Sequence, residues 1–416
     1  MKSYDVVVIG GGPAGLASAL AAERYGAETL IIERENALGG ILKQCIHDGF
    51  GLVRFKEKLS GPEYAERFIE ELEGKKIDVK LLSFVTEIRK DGKFYLSVVS
   101  REGIEEIEAK AVVLATGCRE RTAKQVSIHG TRPAGVFTAG TAQRYVNIEG
   151  VMPTKRCVIL GSGDIGLIMA RRITLEGGTV LGVYEAKSTP SGLTRNIHQC
   201  LYDYDIPLHL SSTVTRVFGE GRLEGVEVAK VDEKMRPLPG TEERIDCDAL
   251  ILSVGLIPEN ELAEKLSVSS DPRSKGATCD GQMMTDVGGV FTCGNATHVN
   301  DLVDYVSESG EIAGKNAALY DGKNAKYAFV RPDDNLLYVV PQRLNLSADN
   351  SETVIYFRSK EVRGKSVVTV KADGKTVLQK KYPFLRPPEM ERLKADFSSF
   401  PLKENSVVEI TVEEGR

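Results

Sequence analysis

The chain has 416 residues, and a single core rarely grows past roughly 250–300, so two or three domains are expected. Apolar residues make up 42% and charged residues 27%, as in ordinary globular proteins, and the formal net charge of −5 argues against a nucleic-acid partner. No run of about 18 apolar residues occurs, so no transmembrane segment is expected. The first residues, MKSYDVVVIG, run straight into a strand, with no room for a secretory leader. The seven cysteines, Cys45, Cys118, Cys157, Cys200, Cys247, Cys279 and Cys293, are never closer than 14 residues. That spacing gives no C-x-x-C pair, zinc knuckle or iron–sulfur run. An odd number in a leaderless chain fits a reducing cytoplasm, the expected location.

In chain order, the first signal is YDVVVI (residues 4–9), an apolar run of strand length. Gly10-Gly11-Gly12-Pro13-Ala14-Gly15 follows, then LASALAAERYG, which reads as a helix ending near Gly26, then TLII and Glu33. Strand, glycine turn, helix, strand and acid in this register form a dinucleotide-binding unit. Gly10 makes the turn, Gly12 lets the backbone approach a pyrophosphate, and Gly15 packs the helix on the strand. The helix N-terminus offers N–H groups and partial positive charge to the phosphates. Glu33, 23 residues after Gly10, can accept hydrogen bonds from a ribose. The pattern repeats from RCVIL (156–160) through Gly161-Ser162-Gly163-Asp164-Ile165-Gly166 and LIMARRITLEGG to TVLGVYE, which ends in Glu185, 24 residues after Gly161. Two such units predict two dinucleotides. After ESGEIAGKNAALYDG, a helix, Pro332, Asp333, Asp334 and Asn335 mark a linker. Short alternating runs follow at 353–359, 366–372, 375–381 and 406–412, with Asp373-Gly374 as a hairpin signal between two of them. They predict a small β-sandwich whose visible role is packing or subunit contact.

Over about residues 1–325 the chain resembles the two-dinucleotide-binding-domain flavoproteins, the pyridine-nucleotide-dependent FAD oxidoreductases. The shared marks are the two glycine turns, Glu33-RENAL-Gly39-Gly40, the strand ending Ala115-Thr116-Gly117, Ser253-Val254-Gly255 before LIP, and the strand GGVFTCGN ending Gly294-Asn295. The resemblance implies FAD on the first unit, held by Gly10, Gly12, Pro13, Ala14, Gly15, Glu33, Arg34, Gly39, Gly40, Ile41, Ala115, Thr116, Gly117, Gly294 and Asn295. It implies a nicotinamide nucleotide on Gly161, Gly163, Asp164, Ile165, Gly166, Glu185 and Gly255. Where the family usually has Asp, this chain has Asn295, which hydrogen-bonds without bringing a charge. Glu185 suits the free 2′-hydroxyl of NAD(H) over the 2′-phosphate of NADP(H), although Lys187 is close. The helix after Asn295, expected to start around Asp301, would aim its positive end at the flavin.

The implied fold is α/β, with two nested Rossmann-like domains plus the C-terminal β-sandwich. The FAD-binding domain would take residues 1–118 and 257–325, the inserted NAD-binding domain 119–256, and the β-rich domain 331–416. Hydride transfer between nicotinamide and flavin needs stacking and orientation rather than a dedicated acid or base, so no catalytic residue is assigned. Cys45 and His47, beside the expected isoalloxazine, are weak candidates with plainer structural roles. The cluster Arg119, Glu120, Arg121 reads best as pairing with acids or capping a strand end.

The stretches ILKQCIHDGFG (41–51), TGCRERT (116–122) and GTRPAGVFTAGTAQRYVNIEG (130–150) resemble a narrower subgroup. Its members are encoded beside a flavin-dependent glycerol-3-phosphate dehydrogenase and are related to alpha chains of heteromeric sarcosine oxidase, proline dehydrogenase and hydrogen cyanide synthase. That resemblance implies an electron-transfer subunit with a partner dehydrogenase, a separate iron–sulfur chain if electrons leave through a cluster, and room for homo-oligomers. A stand-alone NADH:acceptor reductase and a non-catalytic FAD-binding scaffold are the alternatives. The missing cysteine pair speaks against a disulfide reductase, and the acidic balance against a tRNA-modifying enzyme.

Overall fold

The computed structural model describes residues 1–323 and 325–415. Asn324 and Arg416, which fall in the expected FAD-binding and C-terminal segments, lie outside the described residues. The chain divides into two units, one joining Met1–Cys118 with Pro258–Arg416, the other running from Arg119 to Ile257.

In the first unit, β1 (Lys2–Ile9) buries Val6, Val7 and Val8 completely, as a β-branched run does when both faces of a parallel strand are covered. The chain turns through Gly10–Gly12 into α1 (Pro13–Arg24), with Pro13 at the first helical position, where its fixed φ suits the helix. β2 (Thr29–Ile32) returns parallel to β1. α2 (Gly61–Leu72) opens with a capping box between Ser60 and Glu63. Then come β3 (Ile77–Lys80), β4 (Phe84–Asp91), β5 (Lys93–Ser100) and β6 (Gly103–Leu114). The strand order is β3-β2-β1-β6-β5-β4. β1 therefore has β2 on one side and β6 on the other, both parallel to it. The crevice outside the carboxyl ends of such strands is where α/β sheets bind ligands.

The second unit repeats this plan: β7 (Val136–Thr138), α3 (Ala139–Asn147), β8 (Arg156–Leu160), α4 (Asp164–Leu175), β9 (Thr179–Tyr184), β10 (Leu208–His209) and β11 (Ala249–Leu252). Its sheet is parallel throughout, in the order β7-β11-β8-β9-β10. A separate four-stranded sheet, built from 129–130, 212–218, 225–230 and 243–245, was not resolved by the sequence reading.

Back in the first unit, β12 (Val290–Thr292) pairs in parallel with the last residues of β6. α5 (Val303–Ala318) starts two residues later than the expected Asp301. It lies on α1 through two glycines: a Cβ at Gly310 would stand 2.2 Å from the Ala14 carbonyl oxygen, and one at Gly314 would stand 1.9 Å from that of Ser18.

The C-terminal strands are β13 (Tyr327–Pro332), β14 (Leu336–Val340), β15 (Arg343–Asn345), β16 (Thr353–Ser359), β17 (Ser366–Ala372), β18 (Lys375–Tyr382), β19 (Met390–Ala395) and β20 (Val407–Glu414). They form a five-stranded sheet, β15-β13-β20-β17-β18, and a three-stranded sheet, β14-β16-β19. Val330, Ile355, Phe357, Val370 and Ile410 belong to the core the two sheets share, which makes the segment a β-sandwich. Asp373 and Gly374 take φ of 45° and 79° in the β17–β18 hairpin, as a two-residue primed turn requires. Pro332 ends β13 and Asp333–Asn335 lead into β14, so these residues are a turn inside the sandwich rather than the linker expected. Although it has a core of its own, the sandwich groups with the first sheet in one unit.

Candidate functional site

At the first turn the glycines divide by what a side chain would meet. A Cβ at Gly10 would stand 2.3 Å from the Ala115 carbonyl oxygen, and one at Gly15 would stand 1.8 Å from that of Gly10. Both are therefore glycine because the protein's own backbone fills the space. Gly12 differs: its nearest neighbour would be the Gly40 Cα at 3.8 Å, an ordinary contact. Nothing in the protein forbids a side chain at Gly12, so the room in front of it is a cradle that a ligand can use. α1 has no side-chain cap, which leaves its N-terminal end to an anion. This arrangement fits the diphosphate of FAD.

Glu33 follows β2 beside this turn and is buried. Its two carboxylate oxygens accept from Gly11 N at 2.7 Å and Glu35 N at 2.8 Å, and each keeps a further lone pair for a ribose hydroxyl. Arg34, beyond it, is exposed. Gly39 N donates to the Gly11 carbonyl at 2.8 Å, and a Cβ at Gly40 would stand 2.9 Å from the Gly12 Cα, so the Gly39-Gly40 pair backs directly onto the turn. Ala115 N donates to Ile9 O at 3.0 Å, and Thr116 Oγ1 donates to Glu259 O at 2.7 Å, which fixes the end of β6. Gly294 presses on Ala14, where a Cβ would come within 2.8 Å of the Ala14 Cβ. Asn295 accepts from Asn300 N at 2.9 Å and donates to the Cys118 sulfur at 3.6 Å. The structure thus gathers Gly10–Gly15, Glu33, Gly39-Gly40, Ala115 and Gly294 around the start of α1.

Ile41 lies in a short 3-10 turn, Gly40–Gln44, with Cys45 just after it and His47 in the connection to a strand at Asp48–Phe50. Cys45 donates to the Ile41 carbonyl at 3.4 Å, and burial pushes its thiol up to about 12, so it is protonated at neutral pH. His47 packs on Phe50, the rings 5.1 Å apart.

The second turn has the same plan. A Cβ at Gly161 would meet the Ser253 carbonyl oxygen at 2.1 Å, and one at Gly166 would meet the Ser253 Cβ at 2.7 Å, whereas one at Gly163 would meet only Ser253, no closer than 3.3 Å. Glu185 accepts from Ser162 N at 3.1 Å, Ser162 Oγ at 2.6 Å and Lys187 N at 3.1 Å. Asp164, the first residue of α4, accepts from Leu193 N at 2.9 Å and Asn196 Nδ2 at 2.7 Å. Ile165 is half-buried beside it, and Gly255 has open space at its Cα. These residues fit a second diphosphate nucleotide. Glu120, of the basic cluster, accepts from Gly140 N at the start of α3 at 2.8 Å.

The sequence reading quoted Ser162 and Ser253 without giving them a role, and missed Ser191 and Gly192. A signal for the latter two exists: Ser191 and Gly192 follow Glu185 by the same six and seven residues by which Gly39 and Gly40 follow Glu33. Ser191 N donates to Ser162 Oγ at 2.9 Å, and Gly192 backs onto the Ser162 carbonyl, so this segment too folds over its glycine turn.

Comparison with known proteins supplies the lineage. The profile of the pyridine nucleotide-disulphide oxidoreductase family matches residues 4–317. Hydrogen cyanide synthase subunit HcnB of Pseudomonas aeruginosa is 27% identical over 337 residues, covering 75% of this chain and 69% of its own. Sarcosine oxidase subunit alpha of a Corynebacterium is 28% identical over 270 residues, 61% of this chain but 26% of its own length. Among solved structures, T. acidophilum thioredoxin reductase superposes with a TM-score of 0.62 at 23% identity, over 77% of this chain and 99% of its own, a likeness of fold. No two of the seven cysteines are closer than 14 residues, so the chain has no C-x-x-C dithiol. With its two glycine cradles and this match, the chain belongs to the pyridine nucleotide-disulphide oxidoreductase family of FAD- and NAD(P)H-dependent enzymes.

Proposed function

We propose that this protein moves hydride between NAD(H) and a resident FAD as the electron-transfer subunit of a heteromeric dehydrogenase. The observation that carries the reading is the pair of middle glycines, Gly12, which is open, and Gly163, which meets only Ser253, each in front of a helix without a side-chain cap. When bound, FAD exchanges a hydride with the nicotinamide and one or two electrons with a partner. The chain's own part is to hold and orient. Gly12 and α1 receive one diphosphate, Glu33 a ribose, Gly163 and α4 the second diphosphate, and Glu185 the ribose that decides between NAD(H) and NADP(H).

The partner is the finer part of the proposal. Two relatives are named as subunits of larger enzymes, and this chain has no cysteine spacing for a cluster of its own. A flavin dehydrogenase for glycerol 3-phosphate is the partner suggested by the stretches 41–51, 116–122 and 130–150, with any iron–sulfur centre on a further chain. Ile41, Ile46, Leu52 and Val53 are exposed apolar side chains that such a partner could cover.

The test has two stages, both anaerobic. NADH should bleach the bound flavin of the isolated protein; a flavin that NADH leaves oxidised would make the chain a scaffold. The protein, the neighbouring dehydrogenase, glycerol 3-phosphate and NAD⁺ should then yield NADH only together. NADH formed by this chain alone from a small substrate, or no coupling even with an iron–sulfur chain supplied, would overturn the partnership.

A further inference from the structure

The C-terminal sandwich reaches into the segment between β12 and α5. Arg358, on β16, has a side chain only 12% exposed and donates to Asp301 Oδ1 at 2.7 Å. It also donates to the carbonyls of Val299 at 3.5 Å and Pro387 at 3.0 Å and to the Tyr338 hydroxyl at 3.2 Å. Met390 N, on β19, donates to the other oxygen of Asp301 at 2.5 Å. His298 is buried against the rings of Tyr338 and Tyr356, at 5.6 and 5.2 Å. On α5 itself, Glu308 accepts from the Tyr356 hydroxyl at 2.8 Å and from Arg392 Nε at 2.7 Å. Residues 298–308 are therefore held from the sandwich by two arginines, one backbone N–H and two tyrosine rings.

That segment stands at the edge where the first turn binds. β12 runs parallel to β6, so its carboxyl end lies on the same edge as Ala115. Gly310 packs on Ala14 and Gly314 on Ser18, so α5 runs in the same direction as α1. Val303 is seven residues before Gly310, which at 1.5 Å per residue carries the start of α5 about 10 Å past the level of Ala14. A dinucleotide whose diphosphate sits at Gly12 must continue outside the carboxyl ends of the strands, along this edge. Asp301 lies two residues before Val303, and the first turn of α5 already holds Asp304, which accepts from Arg54 N at 2.8 Å. The charge of Asp301 would add a second carboxylate at the same helix end.

We propose that Arg358, reaching from the C-terminal sandwich, is a positioning residue for the flavin: it fixes segment 295–302 and offsets the charge that Asp301 adds beside the bound cofactor. The sandwich is then part of the redox site rather than a passive appendage. This rests on the FAD reading of the first turn.

The test uses the full-length chain loaded with FAD. Flavin reduction is titrated anaerobically against a reference dye for the wild type, Arg358→Met, Asp301→Asn and the double variant. Arg358→Met takes the guanidinium charge away from Asp301, so the reduced fraction at a fixed dye potential should fall roughly two- to fivefold, the range of a charge at a helix end. Asp301→Asn leaves a bare guanidinium, so the reduced fraction should rise by a similar factor, and the double variant should return near the wild type. A purely structural contact would move both single variants the same way, which would overturn the proposal, as would no shift in either. Should Arg358→Met fail to fold, the isosteric Asp301→Asn still decides: an unmoved or lowered potential refutes it. A wild type that takes up no FAD would defeat the cofactor reading itself, whereas same-sign shifts in an FAD-loaded protein defeat only the role of Arg358.

Discussion

The two glycine turns are built alike and charged differently. In both, a neighbouring carbonyl or Cβ enforces the first and third glycines, Gly10 and Gly15 or Gly161 and Gly166; the middle one has more room, open at Gly12 and met only by Ser253, at 3.3 Å, at Gly163. In both, a buried glutamate closes the turn, and a pair of small residues six and seven positions on folds back over it. The first turn, however, enters its helix through Pro13, which is neutral, whereas the second enters through Asp164, a carboxylate at the positive end of α4. Gly11, bare, donates one backbone bond to Glu33, while Ser162 donates both backbone and hydroxyl to Glu185. The first turn thus leaves its whole field to a ligand, and the second spends part of it on internal partners. That difference suits a resident cofactor at the first turn and an exchanging one at the second: tight retention needs an uncontested anion site, and turnover needs release.

The largest expected effect comes from blocking the open glycine of the first turn. Gly12→Val should weaken FAD binding by about 1–3 kcal/mol, roughly 5- to 150-fold, the scale of an overpacked contact. The apoprotein's thermal unfolding should be unchanged, because a Cβ there meets only ordinary contact. Gly15→Ala is the control: its methyl has no space beneath the Gly10 carbonyl, so the apoprotein itself should be destabilised. Flavin absorbance and melting curves separate the two, and equal damage to the fold by both changes would break the distinction between enforced and open glycines.

Next in size is the nucleotide preference at Glu185. A carboxylate that already accepts three bonds is fixed in place and cannot swing away from a 2′-phosphate. The wild type should be reduced faster by NADH than by NADPH, and Glu185→Ala should narrow the gap by about tenfold. Equal rates in the wild type would remove the charge argument.

Much of this was legible in the sequence. The spacing of Gly10, Gly12 and Gly15 from Glu33, and its repeat to Glu185, locate both turns because period and turn chemistry are local properties. The hairpin at Asp373-Gly374 was legible for the same reason. Which glycine is open was not legible, since that depends on Ala115 and Ser253, strand ends about 90–105 residues away in the chain. Nor was the pairing of Arg358 with Asp301, which joins a sandwich strand to a loop 57 residues earlier. Asp164 was read as a nucleotide contact; its bonds to Leu193 and Asn196 show that it also organises the loop over the second turn.

That double role gives the third prediction. Asp164→Asn removes the charge at the head of α4 and keeps an oxygen for Leu193 N and Asn196. It should tighten NADH binding roughly two- to fivefold, the usual size of one charge at a helix end. Stopped-flow reduction of the flavin over a range of NADH concentrations would measure it. Weaker binding would mean that the carboxylate contacts the nucleotide favourably, and that the charge difference between the turns does not set their affinities.

The smallest effect is expected at Cys45, in the loop that follows Gly39-Gly40. Its position beside the first turn invites a redox role, but three observations oppose one. The thiol is pushed up to about 12 by burial, so almost none is thiolate at neutral pH. Its hydrogen is given to the Ile41 carbonyl. Gly61 packs against its Cβ, where a methyl on Gly61 would come within 2.8 Å, so the cysteine helps seat α2. Serine keeps the hydrogen bond and nearly the same volume, so Cys45→Ser should leave NADH-to-dye electron transfer within about twofold, with an unchanged flavin spectrum. A loss of a hundredfold with FAD still bound would show that the thiol takes part, and the first turn would then be a reactive site as well as a cradle.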